Sequence, residues 1–131
     1  MATHAQDVQA NHTQTIQKLE QILGPDGLTL EEGARTLLST DLSWRPSAVA
    51  DIVIAPSSTE ELGRAVAVAS EAGLAIVPRG GGMSYTSGYT PQSEQSVLVD
   101  MRRMNKIVEI NTDDMYVTVE AGCTWKELYE A

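Results

Sequence analysis

Three consecutive glycines directly after a short apolar segment are the feature that most constrains how this chain folds. Val77 and Pro78 end the apolar segment, Arg79 follows, and the glycines occupy residues 80–82. Glycine tolerates positive φ angles, so such a run lets several backbone N–H groups turn to one side. Consecutive N–H groups that face one way form a concave anion site, and Arg79 adds a charged donor beside it. The pattern predicts a diphosphate-binding loop, although a plain flexible turn has the same glycine content.

The segments before the glycine loop have the pattern of a strand, a helix and a second strand. Residues 48–54 are rich in β-branched and small apolar residues. Ser58 and Glu61 have the spacing of a capping box at a helix start, and Gly73 ends that helix. Residues 74–78 are almost wholly apolar, which is typical of a buried parallel strand. Ligands of open α/β folds lie at the carboxyl ends of parallel strands, so this order places the glycine loop at a ligand-binding position.

The remaining predicted elements flank this βαβ unit. They are an amphipathic helix at 5–23 with an apolar stripe of Val8, Ile16, Leu19, Ile22 and Leu23, a short helix or irregular turn at 30–38, a strand at 97–100, an antiparallel hairpin at 107–111 and 116–120, and a helix after the capping box of Thr124 and Glu127. The fold class is therefore α+β, with N-terminal helices, a small parallel βαβ sheet and the start of an antiparallel sheet. We expect a helical segment at 1–45 and a second, incomplete domain at 46–131.

The charge balance disfavours two classes of partner. The chain has 131 residues and a net charge of −9, from nine Lys and Arg against 18 Asp and Glu. Nucleic-acid binding requires clustered cations that neutralise phosphates, and anionic membranes attract basic segments. We therefore expect neither nucleic acid nor an anionic membrane as a partner. Arg79 is the single basic residue between Arg64 and Arg102, so an anion at the loop depends on it.

Histidine and cysteine are too few for several enzyme classes. His4 and His12 lie in the N-terminal segment, where solvated helix positions are expected, and residues 13–131 contain none. This argues against a Ser-His-Asp arrangement and a histidine zinc site in the main fold. Cys123 is the single cysteine, which fits a reducing compartment. Without a signal-peptide pattern at 1–21 or an apolar run of ~20 residues, we expect a cytoplasmic protein and no transmembrane segment.

Three stretches together resemble the FAD-binding domain of the vanillyl-alcohol oxidase / p-cresol methylhydroxylase family. They are Pro46 to Leu62, Val77 to Ser84, and Val119 to Trp125 with Leu128. The resemblance covers roughly residues 40–131 in matching order and spacing. It implies a PCMH-type FAD-binding domain that continues beyond this chain, so we expect the N-terminal portion of a larger flavoprotein.

The resemblance also implies which residues lie at the cofactor. Arg79 to Ser84 would follow the FAD pyrophosphate, Gly88 would close the loop, and Gly122 would lie nearby. The implied binding set is Arg79, Gly80, Gly81, Gly82, Met83, Ser84, Tyr85, Gly88 and Gly122.

Two positions depart from the family pattern. Ser87 stands where family loops often carry a further glycine, which affects loop curvature. Met83 stands at the likeliest position of the histidine that holds flavin covalently in some members. We therefore expect FAD to be bound non-covalently through this segment.

Several other side chains have both a structural and a functional interpretation. The tyrosines of the loop are candidates for ring or ribose contacts or for loop packing, and the tryptophans for ring stacking or for closing a core edge. Cys123 is expected to be a structural thiol, and the two aspartates to belong to a hairpin turn. These candidates are Tyr85, Tyr89, Trp44, Trp125, Cys123, Asp113 and Asp114.

The function implied by the resemblance is that of an FAD-dependent oxidoreductase whose intact form acts on a small-molecule substrate, an alcohol or a 2-hydroxy acid. The cofactor would supply the chemistry and this segment its binding and orientation. No catalytic residue and no metal ligand is nominated, and the oligomeric state stays open. Two alternatives remain: a flavin subunit of molybdenum hydroxylases or a flavin reductase of cell-wall precursor synthesis with the same domain, and a non-catalytic half-domain adaptor.

Overall fold

The computed structural model describes residues 2–43 and 45–131, apart from the side chains at positions 2–5, 7 and 8. Trp44 and the side chains of His4 and Val8 therefore lie outside the described residues. The elements in chain order are α1 (Ala2–Leu23), β1 (Leu28–Thr29), α2 (Glu32–Leu38), β2 (Ile52–Ile54), α3 (Thr59–Glu71), β3 (Ala75–Arg79), β4 (Ser96–Asp100), β5 (Ile107–Asn111), β6 (Tyr116–Val119) and α4 (Trp125–Glu130). This mixed architecture confirms the predicted α+β class.

Helix α1 ends at a glycine–proline pair and joins the core through its last two turns. Gly24 has a φ of 71°, and Pro25 begins a short 3₁₀ turn because it cannot continue the helix. Leu19 and Leu23 are buried. They pack with both isoleucines of β2 and with Ala65 of α3. The predicted helix is confirmed, and it covers one face of the sheet together with α3.

The main sheet has the strand order β1-β2-β4-β3. Strand β4 is parallel to both β2 and β3, with Ile52 opposite Val97 and Ala75 opposite Ser96. The parallel βαβ unit is confirmed, although β4 lies between its two strands. Strand β1 pairs antiparallel with β2 and was not predicted, because two residues carry no readable pattern.

Two expectations about the strands are wrong. The predicted strand at 48–54 is reduced to Ile52–Ile54. Asp51 still donates one backbone bond to Ser96 of β4, but the N–H and carbonyl of Ala50 bond to the Ser39 and Arg35 side chains and not to a strand. The apolar strand β3 is not buried: it is an edge strand, and Ile76 is 37% exposed. The interior strands β2 and β4 are both buried along their whole length, because each has a partner on either side. Helices α1 and α3 pack on one face of β4, and Leu38 of α2 packs on the other.

The start of helix α3 differs in one bond from the predicted capping box. The Ser58 hydroxyl accepts the backbone N–H of Glu61 as expected, at 3.2 Å. The Glu61 carboxylate, however, accepts from the backbone N–H and hydroxyl of Ser57, at 2.7 and 2.8 Å. The reciprocal bond has moved one residue towards the N-terminus. Gly73 ends the helix with a φ of 76°, as predicted.

Strands β5 and β6 form the predicted antiparallel hairpin as a separate two-stranded sheet. Its turn includes Met115 at a φ of 55°, and Asp114 bonds to Asn111 within it. Helix α4 begins at Thr124 with both bonds of a capping box, as predicted. Within residues 2–43 and 45–131, no helix is long and apolar enough to cross a membrane.

His12 is not the solvated helix residue that the sequence suggested. Its Nε2 atom lies 2.6 Å from Oδ2 of Asp51, just before β2. The two side chains are 37% and 34% exposed. The pair connects α1 to the amino end of the sheet, where a cleft of 630 Å³ opens beside it.

Candidate functional site

The glycine loop leaves the sheet where β3 and β4 end side by side. Arg79 and Asp100 are paired in register as the last residues of these two parallel strands. The loop that follows β3 therefore starts at the carboxyl edge of the sheet, as predicted. Ligands of open α/β folds bind at this edge.

Each of the three glycines meets a different environment. A Cβ on Gly82 would collide with the Arg79 guanidinium, and its φ of 80° also favours glycine. A Cβ on Gly80 would lie 3.1 Å from the carbonyl oxygen of Ala121. A Cβ on Gly81 would meet no described atom within 4 Å. Gly81 therefore borders open space, whereas its two neighbours are held against other parts of the molecule.

Arg79 carries hydrogen-bond donors that the described groups leave unused. Its Nε and Nη1 atoms are buried, and no acceptor for them occurs among the groups that the structure describes. Buried donors almost always have a partner, because an unmade bond costs free energy. An anion at the loop would supply the missing acceptors. The residues therefore fit the diphosphate of a nucleotide cofactor.

Tyr89 lies beneath the loop and is 6% exposed. Its hydroxyl donates a hydrogen bond of 2.7 Å to the carbonyl oxygen of Gly82. The centroid of its ring lies 5.1 Å from Cζ of Arg79. Of the two interpretations that the sequence left open for Tyr89, these contacts correspond to loop packing.

The second half of the loop is held by its own hydroxyl groups and by Asp41. The Ser84 hydroxyl accepts from the backbone N–H groups of Thr86 and Gly88, at 3.3 and 3.4 Å. Asp41 Oδ2 accepts from the N–H of Ser87 at 2.8 Å. Sequence reasoning missed Asp41, because nothing local indicates a bond across 46 positions. Ser87 has a φ of 58°, so it adopts the conformation that glycine would take there.

Met83, Tyr85 and Gly122 complete the set named from the sequence. The side chains of Met83 and Tyr85 are 76% and 62% exposed on the loop. Gly122 is buried, and a Cβ there would collide with the backbone of Met101. Its neighbour Ala121 lies against Gly80. The segment after the hairpin is thus close to the glycine loop, and Gly122 allows the backbones to approach.

A cleft of 520 Å³ lies between α2 and the glycine loop, with Arg79 and Tyr89 in its wall. Leu37 and Leu42 on the same wall are 73% and 58% exposed, so the cleft has an apolar side. Arg102 also lines it. The side-chain hydrogen bond to Asp100 raises the pKa of Arg102 above its ordinary value. Arg102 is thus already neutralised by a carboxylate.

Two of the remaining candidates, Cys123 and Trp125, lie at the start of α4. Trp125 is 86% exposed, so the expectation that it closes a core edge is wrong. It stands at the first position of α4, where the short helix leaves its ring uncovered. Cys123 is partly buried, and its thiol lies 3.7 Å from the carbonyl oxygen of Thr124.

Comparisons with known proteins agree with this site. The family model described as "FAD binding domain" matches residues 50–131. The glycolate oxidase subunit GlcD of Bacillus subtilis (strain 168) is 30% identical over 115 residues, which are 88% of this chain and 24% of that protein. The D-2-hydroxyglutarate dehydrogenase of Pantoea ananatis (strain AJ13355) is 41% identical over 99 residues, which are 72% of this chain and 9% of that protein.

Among solved structures, p-cresol methylhydroxylase with bound substrate superposes with a TM-score of 0.81 at 22% identity. The match covers 93% of this chain and 24% of that one, and it shows a shared fold. The chain spans a quarter or less of the length of these relatives. A family model matches most of the length of the chain, and the glycine loop holds an arginine with two buried donors that have no acceptor among the described groups. The chain belongs to the FAD-binding domain family.

Proposed function

We propose that this chain supplies the FAD-binding part of an oxidoreductase that oxidises a 2-hydroxy acid or a related alcohol. The relatives named above act, by their names, on glycolate and D-2-hydroxyglutarate, and both are 2-hydroxy acids. The observation that carries the proposal is the pair of buried Arg79 donors at the carboxyl edge of a parallel sheet, for which the described part of the chain offers no acceptor. No comparable observation favours the molybdenum-hydroxylase subunit, the reductase or the adaptor.

In this proposal the loop binds the FAD diphosphate through Arg79 and the backbone N–H groups of the glycines. Fixed donors hold an anion without reorganising when it binds. Ser84 and Gly88 shape the loop, and Gly122 brings the next segment close to it. The proposed binding set remains Arg79, Gly80, Gly81, Gly82, Met83, Ser84, Tyr85, Gly88 and Gly122.

When bound, FAD supplies the acceptor for a hydride from the substrate. The residues of this chain bind and orient the cofactor. The matched region covers residues 50–131, which supports our proposal that 46–131 form the cofactor-binding part and 1–45 an N-terminal helical segment. Within that segment, the two residues of β1 join the main sheet. The single cysteine supports a cytoplasmic location.

Two substitutions test the loop in the full-length protein. Gly81→Val places a side chain where no described atom interferes, so we expect a folded protein that does not retain FAD. Arg79→Ala removes the charged donors and should weaken FAD binding by about 1.5–3 kcal/mol. FAD content after gel filtration and flavin fluorescence titration measure both effects.

Gly63→Val is the matched control, because a Cβ on Gly63 in helix α3 also meets no described atom within 4 Å. This variant should retain FAD. Equal FAD content in the wild type, Gly81→Val and Arg79→Ala would contradict the proposed function.

We also propose that flavin is not attached covalently through this loop. A histidyl bond requires an imidazole, and residues 13–131 contain none. His12 is paired with Asp51 at the opposite edge of the sheet. Acid precipitation should release yellow flavin into the supernatant, whereas a flavinylated peptide from residues 79–90 would refute this proposal.

A further inference from the structure

Tyr89 contacts both parts of the glycine loop from which the proposed anion site is built. Its hydroxyl donates to the Gly82 carbonyl at 2.7 Å, and its ring lies under the Arg79 guanidinium with 5.1 Å between Cζ and the ring centroid. Tyr89 is buried, with 6% of its surface exposed. The ring contact is to the guanidinium that would bind the diphosphate, whereas the hydroxyl contact is to a carbonyl oxygen, which would not bind an anion.

The hydroxyl contact orients one peptide group of the loop. The carbonyl of Gly82 and the N–H of Met83 belong to one planar trans peptide, so they point in opposite directions. Fixing the carbonyl towards Tyr89 therefore turns the N–H of Met83 away from it. A glycine with a φ of 80° could otherwise rotate with little steric hindrance.

The ring contact restricts the guanidinium. Arg79 lies against the Cα of Gly82, where any Cβ would collide with it, and against the Tyr89 ring. An arginine side chain has many rotamers, and restricting them before the ligand binds removes an entropic cost of binding. The two buried donors without described acceptors, Nε and Nη1, belong to this restricted group.

We propose that Tyr89 is a positioning residue for the diphosphate, acting through Arg79 and through the peptide between Gly82 and Met83. The inference rests on the proposed function, since it assumes an anion at this loop. It predicts that substitution of Tyr89 weakens the binding of ligands that contain a diphosphate and does not change the binding of a flavin that lacks one.

Two variants separate the two contacts in flavin-free full-length protein. Tyr89→Phe keeps the ring and removes the hydroxyl bond, and Tyr89→Leu removes both. FAD, inorganic pyrophosphate and riboflavin are titrated by calorimetry and fluorescence. We expect Tyr89→Phe to weaken FAD and pyrophosphate about fivefold, Tyr89→Leu to weaken them by roughly tenfold or more, and riboflavin binding to stay unchanged.

Tyr116→Phe is the matched control. This substitution also removes a tyrosine hydroxyl that donates a hydrogen bond, in this case to Glu109 at 3.0 Å. Both residues lie on the hairpin and not at the glycine loop. This variant should bind all three ligands as the wild type does. Thermal unfolding of each variant shows whether it is folded, and Tyr89→Phe keeps the test valid if Tyr89→Leu does not fold.

A double-mutant cycle with Arg79→Ala distinguishes positioning from general loop stability. If the ring acts through Arg79, the difference in affinity between Tyr89→Phe and Tyr89→Leu should disappear in the Arg79→Ala background. An undiminished difference there, an equal loss of riboflavin binding, or unchanged pyrophosphate binding by Tyr89→Phe would overturn the inference. Wild-type protein that binds pyrophosphate but not FAD would refute the proposed function alone, and protein that binds neither would refute both.

Discussion

At the scale of single residues, the three glycines of the loop differ in the space around them, so a side chain at each position would have a different effect. Gly82 is held by a positive φ and by the nearby guanidinium, whereas Gly81 faces outward. Sequence reasoning treated the three glycines as equivalent donors. The difference between them arises from Ala121, which lies against Gly80, and from the Arg79 side chain, which folds back against Gly82.

Ser87 offers a prediction at this scale. At its φ of 58°, the conformational energy of a residue with a Cβ is higher than that of glycine. Glycine, however, loses more backbone entropy on folding. We expect Ser87→Gly to stabilise the protein by roughly 0.5 kcal/mol and to leave FAD binding unchanged, as measured by urea denaturation and FAD titration.

The control is Ser70→Gly on the exposed surface of helix α3. There the same substitution should destabilise by about 0.5 kcal/mol, because glycine is a poor helix former. A Ser87→Gly variant as unstable as Ser70→Gly would show that the backbone at Ser87 carries no strain.

At the scale of elements, helix starts contribute a pH dependence. The backbone N–H of Ser57, and then its hydroxyl, hydrogen-bond the Glu61 carboxylate and lower the pKa of Glu61 from its ordinary value of 4.5. Below that value the unfolded chain binds a proton that the folded chain still excludes. This contribution to stability is therefore complete above pH 4.5 and is lost as the pH falls through the folded pKa.

We therefore expect Glu61→Gln to reduce the loss of stability between about pH 5 and pH 3. Urea denaturation across this range measures it. Glu60→Gln is the matched control, because the carboxylate that accepts both hydrogen bonds from Ser57 is that of Glu61. Identical acid slopes for wild type and Glu61→Gln would refute the role of this cap.

At the scale of the whole molecule, a large apolar surface lies outside the core. Val108 on the hairpin is 65% exposed, and Trp125 and Tyr129 of α4 are 86% and 93% exposed. Strand β3 also has an unpaired edge within the described part of the chain. Exposed edges and apolar patches favour association.

We expect residues 1–131 in isolation to associate with rising concentration and to be catalytically silent. Sedimentation velocity measures the association, and Val108→Lys should reduce it by placing a charge on the hairpin. A monomer at all concentrations, or substrate-dependent dye reduction by these residues alone, would contradict this expectation.

Local patterns determined much of the fold and the place of the site. The apolar periodicity of α3, the capping box of α4 and the alternation of the hairpin are all contained in short windows of sequence. The glycine loop after an apolar strand likewise marked the carboxyl edge of the sheet. Each of these features depends on neighbours within a few residues, so the sequence alone sufficed.

Tertiary structure decided what depends on distant partners. Strand β4 lies in the interior of the sheet, and the more uniformly apolar β3 lies at its edge. Strand order depends on how the elements pack and not on the composition of a strand. His12 meets Asp51 across 39 positions, and Asp41 meets Ser87 across 46. The stacking of Arg79 on Tyr89 likewise arises only when the loop closes. No local pattern encodes such pairs, since their energy exists only once the chain has brought both partners together.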